Sequence, residues 1–424
     1  MIPGEGSIRG EYMRYFILFC LIRFNFYPTS FMQLSHADEI SKLKEKEWTF
    51  LIYLNGKNSL DDFGPENISQ MEHVGSTEHL NILVQWASLS NHKTQRLYVT
   101  QNLTSHGVTS PILQDLGDRI DMGDWHNLVE FIRWGVANYP AKHYFIDIWD
   151  HGSGWHPTRS SKSILEQMHA TDISWDDSTG HAISTIELGK ALSAAAKIIG
   201  HKVDVYASDA CLMAMAEIAD QLSHSVKVFA GSEELEPGPG WPYEPFLKRW
   251  TSQPDIAPVE IAGVLTDEYI KSYTGGTNGT EDATFSSFNL LKMNHFNSKI
   301  ASFGRNLLKL SKKEKARIIH IASATQNFTY NDYVDLSDFL SRLEVAKIKG
   351  LQDRSIANLR IAINEFITSN GDSPNYKRAG GLSIWLPTSL STYNSFKNEY
   401  KKLKFYKDTK WSDVIGDLLQ ETTN

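Results

Sequence analysis

Two apolar runs that stop abruptly at polar turns constrain this chain more than any other feature. His143-Tyr-Phe-Ile-Asp-Ile-Trp149 runs into Asp150-His-Gly-Ser-Gly-Trp155, and Val203-Asp-Val-Tyr-Ala207 runs into Ser208-Asp-Ala-Cys211. Short, β-branched, nearly continuous apolar runs read as strands buried on both faces, as in a parallel sheet covered by helices. Ser184 to Ile199, between them, reads as a helix. So do Leu60 to Val74 and Asp124 to Asn138, the latter with Asp124 as its cap. Trp48 to Leu54, Leu80 to Trp86 and Arg96 to Gln101 read as further strands. Strands alternating with helical segments predict an α/β fold with a mostly parallel sheet flanked by helices. In such sheets ligands bind outside the carboxyl ends of the strands. The turns after Trp149 and Ala207 are therefore where chemistry is expected.

Each of those turns carries a reactive side chain. The chain has two cysteines, Cys20 and Cys211. Cys20 lies in an N-terminal segment that reads as removable, which leaves Cys211 without a disulfide partner. The Ala/Met/Leu-rich run after Cys211 reads as a helix, whose N-terminal dipole would favour a thiolate. A lone cysteine is more often a small buried hydrophobe, and a lone loop histidine more often caps a strand. Taken together, Cys211 and His151 end two strands expected to be neighbours. An imidazole beside a thiol activates it and later protonates a leaving amine. Gly152 lets the backbone approach a bound carbonyl, and its N–H could hold a developing oxyanion.

These elements resemble the clostripain family of cysteine peptidases, in the caspase–gingipain–legumain clan. The matching pieces are Tyr53-Leu-Asn-Gly-Lys-Asn-Ser-Leu-Asp-Asp62, Ile148–Trp155, Ser208–Met215, Gly238–Tyr243, Ala283–Ser286 and Ala379-Gly-Gly-Leu-Ser-Ile-Trp-Leu-Pro387. They span roughly residues 48 to 390. The resemblance implies a caspase-like catalytic domain over 48–250 and a C-terminal α+β subdomain over 251–424 packed on it. It also implies a Cys211–His151 dyad with oxyanion N–H groups from Gly152 and Cys211. Asp209 matches an acidic residue of the specificity pocket that selects Arg or Lys. A carboxylate on a cleft floor rewards a cation and is left unpaired by anything else. The competing role for Asp209 is a helix N-cap. Glu233 and Glu234, after the strand-like Val226–Gly231, could add negative charge to the same pocket.

The polar segment from Pro157 to Met168 contains Arg159 and Lys162. The resemblance implies self-cleavage there, giving two chains that stay together; an uncut surface loop is the alternative. Pro237-Gly-Pro-Gly240 breaks regular structure and is expected to border the cleft. Trp149, Trp155, Trp175 and Trp241 are candidates to line it, although tryptophans in a domain of this size more often belong to the core. His151 and His156 with Asp147 and Asp150 fit no zinc template, so no metal is assigned. Asp172, Asp176 and Asp177 could bind calcium, an ion the resemblance brings in, but they lack the spaced ligands of a calcium loop. No cofactor is required by the expected chemistry.

Composition narrows the partners. Of 424 residues, 41% are hydrophobic and 22% charged, as in soluble globular proteins, and the net charge is −8. No Lys/Arg block stands out, which argues against nucleic acid. Residues 1–37 read as a signal-peptide region: Met13-Arg14, the apolar Tyr15–Ile22, and an Ser35-His-Ala37 exit, with 1–12 an upstream extension. The apolar run is too short to span a membrane. The expected protein is an exported endopeptidase, monomeric or self-cleaved, acting on polypeptides after Arg or Lys. The alternatives are a catalytically silent caspase-like binding module and a thiol transpeptidase or ligase on the same dyad.

Overall fold

The computed structural model describes residues 45–156 and 172–420. The signal-peptide region, Arg159 and Lys162 lie outside the described residues. All described residues belong to one compact unit, Leu43–Asn424. Its centre is a nine-stranded sheet built from β1 (Lys46–Gly56), β2 (Leu80–Ser88), β3 (Lys93–Tyr98), β4 (Ile112–Asp115), β5 (Ala141–Trp149), β6 (Val203–Asp209), β7 (Val226–Gly231), β8 (Thr284–Asn289) and β9 (Ile367–Asp372). The spatial order is β9-β8-β7-β6-β5-β1-β2-β3-β4. The inner five strands, β7-β6-β5-β1-β2, pair in parallel. The two outer strands on each edge run antiparallel. Both edges of this mixed sheet are thus closed by antiparallel strands, two of them supplied by the chain beyond residue 251.

Period-two alternation explains why β1 is buried on both sides. Leu51 and Tyr53 face a core with Phe131, Ile132, Leu188 and Leu192. Phe50, Ile52 and Leu54 face a second core with Ile68, Phe145, Trp241, Phe246 and Trp250. The first core is roofed by α2 (Trp125–Asn138) and α3 (Thr185–Ile199). The second is roofed by α1 (Gly64–Glu72), α5 (Tyr243–Thr251) and α6 (Pro258–Tyr273). Helix ends follow local chemistry: Asp124 accepts from the His126 N–H, and Ser184 with Glu187 forms a reciprocal capping box.

One helix departs from the sequence reading. The run after Cys211 does not continue into a helix directly; α4 (Ala216–Leu222) starts five residues later. Cys211 to Met215 is tied down by pairing instead. The Leu212 N–H donates to Glu234 O at 3.1 Å, and the Ala214 N–H donates to Ser232 O at 2.8 Å. Ser383, in the strand Ser383–Trp385, donates its N–H to Ala214 O at 3.0 Å. The distant Ala379–Pro387 motif thus buttresses the turn that carries the thiol.

Phe145 is fully buried on β5, within 4.7 Å of the Phe50 ring and 5.5 Å of the Trp250 ring. Phe145→Ala removes most of a core side chain where neighbours on two elements cannot collapse. It is expected to cost about 3–5 kcal/mol of stability, read as a lower urea midpoint at unchanged slope.

Candidate active site

Register places the two turns side by side. Trp149 of β5 pairs with Asp209 of β6, and Leu54 of β1 pairs with Trp149. The residues after each strand therefore emerge at one level: Asp150 and His151, Ala210 and Cys211, Asn58 and Ser59. His151, Gly152, Asp209 and Cys211 line one cleft of roughly 220 Å³ together with Glu236, Pro237, Gly238 and Gly240.

Asp150 fastens this arrangement. Its carboxylate is buried and accepts from Asn55 Nδ2 at 2.8 Å, Asn58 Nδ2 at 2.6 Å and the His151 N–H at 2.6 Å. Its own N–H donates to Asp209 O at 3.1 Å. Burial pushes the Asp150 carboxyl well above the usual carboxylate range despite these donors. The Ser59 hydroxyl lies 2.9 Å from His151 Nε2. Asn55, Asn58 and Ser59 all come from the Tyr53–Asp62 motif, whose part in the site the sequence did not reveal.

Gly152 must be glycine. A Cβ there would lie 2.5 Å from Cys211 O and 3.2 Å from Cys211 N, closer than backbone atoms can yield. Leu212, the next residue after the cysteine, has φ of 64°, a conformation that costs a residue with a side chain about 1–2 kcal/mol. That turn ends the strand direction and leaves the half-buried Cys211 on the cleft wall.

The thiol itself differs from expectation. No helix N-terminus abuts Cys211, since α4 begins at Ala216 with Met215 at its N-cap position. Burial pushes the thiol up to about 11, helped by the Glu234 and Asp209 charges and opposed by the Glu236 N–H, which donates to Sγ at 3.2 Å. At rest this is a thiol, not a thiolate.

Asp209 also does not cap a helix. Its Oδ2 accepts from the Trp241 N–H at 3.2 Å and lies 2.8 Å from Tyr243 Oη. The same phenol oxygen lies 2.9 Å from Asp147 Oδ2. A phenol has one proton to give, so contact with both carboxyls requires a proton on one of them. Asp147, Asp209 and Glu236 form a buried acidic group. Burial raises all three: Asp209 to about 7, and Asp147 and Glu236 well above the usual range, with the Asp209 charge adding to both. Among the described residues no lysine or arginine contributes to holding any of them charged. Gly240, at φ of 65°, comes so close that a Cβ would lie 3.0 Å from Asp209 Oδ1.

Glu233 and Glu234 are placed elsewhere. Glu233 is fully buried, accepts from the Gly381 N–H at 3.0 Å and abuts Asp335. Glu234 accepts from the Thr329 N–H and from Tyr376 Oη. Neither lines the cleft, because the segment after β7 turns both side chains toward the later part of the chain. Glu236, two residues on, takes that position; its adjacency to the Pro237–Gly240 breaker was the one available signal. Of the four tryptophans, Trp149 lines the cleft, with its indole N–H on Asn67 Oδ1 at 2.7 Å. Trp155 and Trp241 are core, and the Trp175 indole N–H binds Asp177 Oδ1 at 2.6 Å.

The acids considered for calcium do not converge. Asp176 is buried with Lys57 Nζ at 3.9 Å and accepts from the Met122 N–H at 3.0 Å. Asp177 is committed to the Trp175 indole. His156 stacks on Phe396 and lies 3.2 Å from Asp332. Among the described residues no group of three or more His, Cys, Asp or Glu side chains is arranged to hold a metal ion.

The Asp209 pKa gives a sign for stability against pH. The folded value of about 7 exceeds the unfolded value of about 3.9. Between them the folded state binds more protons, so this group's contribution to stability falls as pH rises from about 4 to about 7. The melting temperature of wild type minus that of Asp209→Asn should therefore be smaller at pH 8 than at pH 5.

Known proteins agree with this architecture. The model of the clostripain family matches residues 52–418. Clostripain of Hathewaya histolytica is 26% identical over 325 residues, which is 66% of this chain and 60% of that relative. The chain is thus matched over less than two thirds of that relative's length. A secreted C11 cysteine protease from Bacteroides thetaiotaomicron, solved with an irreversible peptide inhibitor, is similar at a TM-score of 0.66 and 19% identity. The match covers 86% of this chain and 99% of that one. An inactive zymogen C11 protease from Parabacteroides distasonis is similar at 0.64 and 17% identity, with the same coverage. With a sheet of this order and its family model spanning most of the sequence, the chain belongs to the clostripain family.

Proposed function

We propose that this protein is a cysteine endopeptidase cleaving after Arg or Lys, with Cys211 as nucleophile and His151 as general acid/base. The observation that supports the specificity is a buried acidic group, Asp209 and Glu236 on the cleft wall with Asp147 behind them, to which no lysine or arginine among the described residues lends a balancing charge. An arginine or lysine side chain supplies the missing charge, and a neutral side chain leaves the acids unpaired. Asp209 forms the floor of the pocket.

The reaction follows from the same positions. Cys211 Sγ attacks the carbonyl carbon next to the bound basic residue, its proton passing to His151. The oxygen that gains charge is held by the backbone N–H groups of Gly152 and Cys211, whose close packing fixes them together. His151 then protonates the leaving amine, and a thioester remains on Cys211. Water, deprotonated by His151, releases the acid and restores the thiol. Ser59 and the Asp150 network keep the imidazole and its turn oriented throughout.

Export fits an N-terminal segment with signal-peptide anatomy and the likeness in fold to a secreted C11 cysteine protease from Bacteroides thetaiotaomicron. No described helix is long and apolar enough to cross a membrane. Self-cleavage after Arg159 or Lys162 would place a basic residue of this chain in its own pocket.

Cys211→Ala should abolish turnover of Arg- and Lys-terminated amide reporters with the melting temperature kept. Asp209→Asn should lower kcat/KM on these by about 100-fold, the scale of one lost buried charge partner; equal turnover with wild type would remove Asp209 from the pocket. Expressed side by side, wild type should appear as two fragments joining near 159–162 and Cys211→Ala as one band. Two identical band patterns would rule self-cleavage out.

A further inference from the structure

Glu236 touches both halves of the site. Its N–H donates to Cys211 Sγ at 3.2 Å, while both its carboxylate oxygens are shielded from solvent. Among the described residues no N–H or hydroxyl group donates to those oxygens. Their neighbours are the acids Asp209 and Asp147 and the thiol itself. Glu236 and Asp209 lie within hydrogen-bonding reach of each other, so one proton shared between them leaves the buried pair a negative charge that no N–H or hydroxyl group on Glu236 offsets among the described residues. A cation is the partner that answers it.

We propose that entry of a basic side chain into this cleft switches Cys211 from a resting thiol to a nucleophile, with Glu236 as the residue that couples the two. The proposal rests on reading the cleft as the seat of an Arg or Lys side chain, and it makes that residue a trigger as well as a label. The physical link is short-range charge. The acids beside Cys211 oppose a second negative charge on sulfur, and burial adds to that opposition. A guanidinium or ammonium among Asp209, Glu236 and Asp147 neutralises the opposing charge without moving the thiol. Glu236 feels the change most directly, because one residue holds the sulfur by its backbone and the cation by its side chain. Coupling of this kind is reciprocal, so a thiolate on Cys211 also tightens the cation. The enzyme then carries an unreactive thiol until a peptide with the correct residue arrives. Nearby groups that could counter the effect are few: Glu234 adds negative charge, and His151 lies across the cleft.

The test uses the full chain and a cation with no carbonyl to attack. Alkylation of Cys211 by iodoacetamide is followed at pH 7 with and without methylguanidinium, and peptide mass spectrometry separates Cys211 from Cys20. Saturating methylguanidinium should accelerate Cys211 alkylation about tenfold, the effect of one unit in thiol pKa. Glu236→Gln should respond to the cation by less than about twofold. Methylguanidinium that inhibits Arg-amide cleavage competitively yet leaves wild-type alkylation unchanged or slower would overturn the coupling while leaving the pocket intact. A Glu236→Gln variant responding as wild type does would remove Glu236 from it. Failure of methylguanidinium to inhibit, with Asp209→Asn as active as wild type, would overturn the pocket reading and the coupling with it.

Discussion

A single buried carboxylate, Asp150, ties together the ends of three strands. It receives Asn55 and Asn58 from the end of β1, the N–H of His151 beyond β5, and through its own N–H it reaches Asp209 of β6. Strand ends in a parallel sheet have no mutual partners beyond the last ladder bond, so they need such a fastening to hold a defined geometry. Here it fixes where His151 stands relative to Cys211. Gly152 completes the fit by letting the histidine turn lie directly on the cysteine backbone. The tight packing around Cys211 and the hydrogen bonds that support the fold are in this region the same interactions.

The second governing feature is an electrostatic imbalance. Asp147, Asp209 and Glu236 are buried together with no lysine or arginine among the described residues to balance them, each raised by desolvation. Tyr243 and the Trp241 N–H partly compensate Asp209, but Glu236 has no such donor. A protein built for stability alone would neutralise or replace such a group. Under the proposed function the balancing charge arrives with the substrate. The resting thiol belongs to the same account, since its neighbours hold it protonated.

Parts of this were legible from residue order. The alternation on β1, β5 and β6 announced strands buried on both faces, and polar turns after Trp149 and Ala207 announced the site end of the sheet. His151, Gly152, Asp209 and Cys211 follow from those turns and do meet in one cleft. Two readings failed for local reasons. The Ala/Met run after Cys211 has helical composition, but hydrogen bonds to Glu234 O and Ser232 O hold its first residues in a non-helical turn. Glu233 and Glu234 are adjacent to the right strand, yet the backbone turns them toward Gly381 and Thr329. Of the two placements weighed for the tryptophans, cleft and core, Trp155 and Trp241 take the core.

Sequence by itself determined the class of sheet, the end of it that does chemistry, and the pair of side chains that could perform it. These depend on periodicity and on residues next to each other in the chain. Tertiary structure decided which acids surround the thiol, because Asp147, Asp209 and Glu236 come from three separate segments that only strand order brings together. It also decided the state of the thiol, which a helix dipole would have lowered and burial among carboxyls instead raises. Charge and burial are properties of neighbours in space, and no spacing along the chain encodes them.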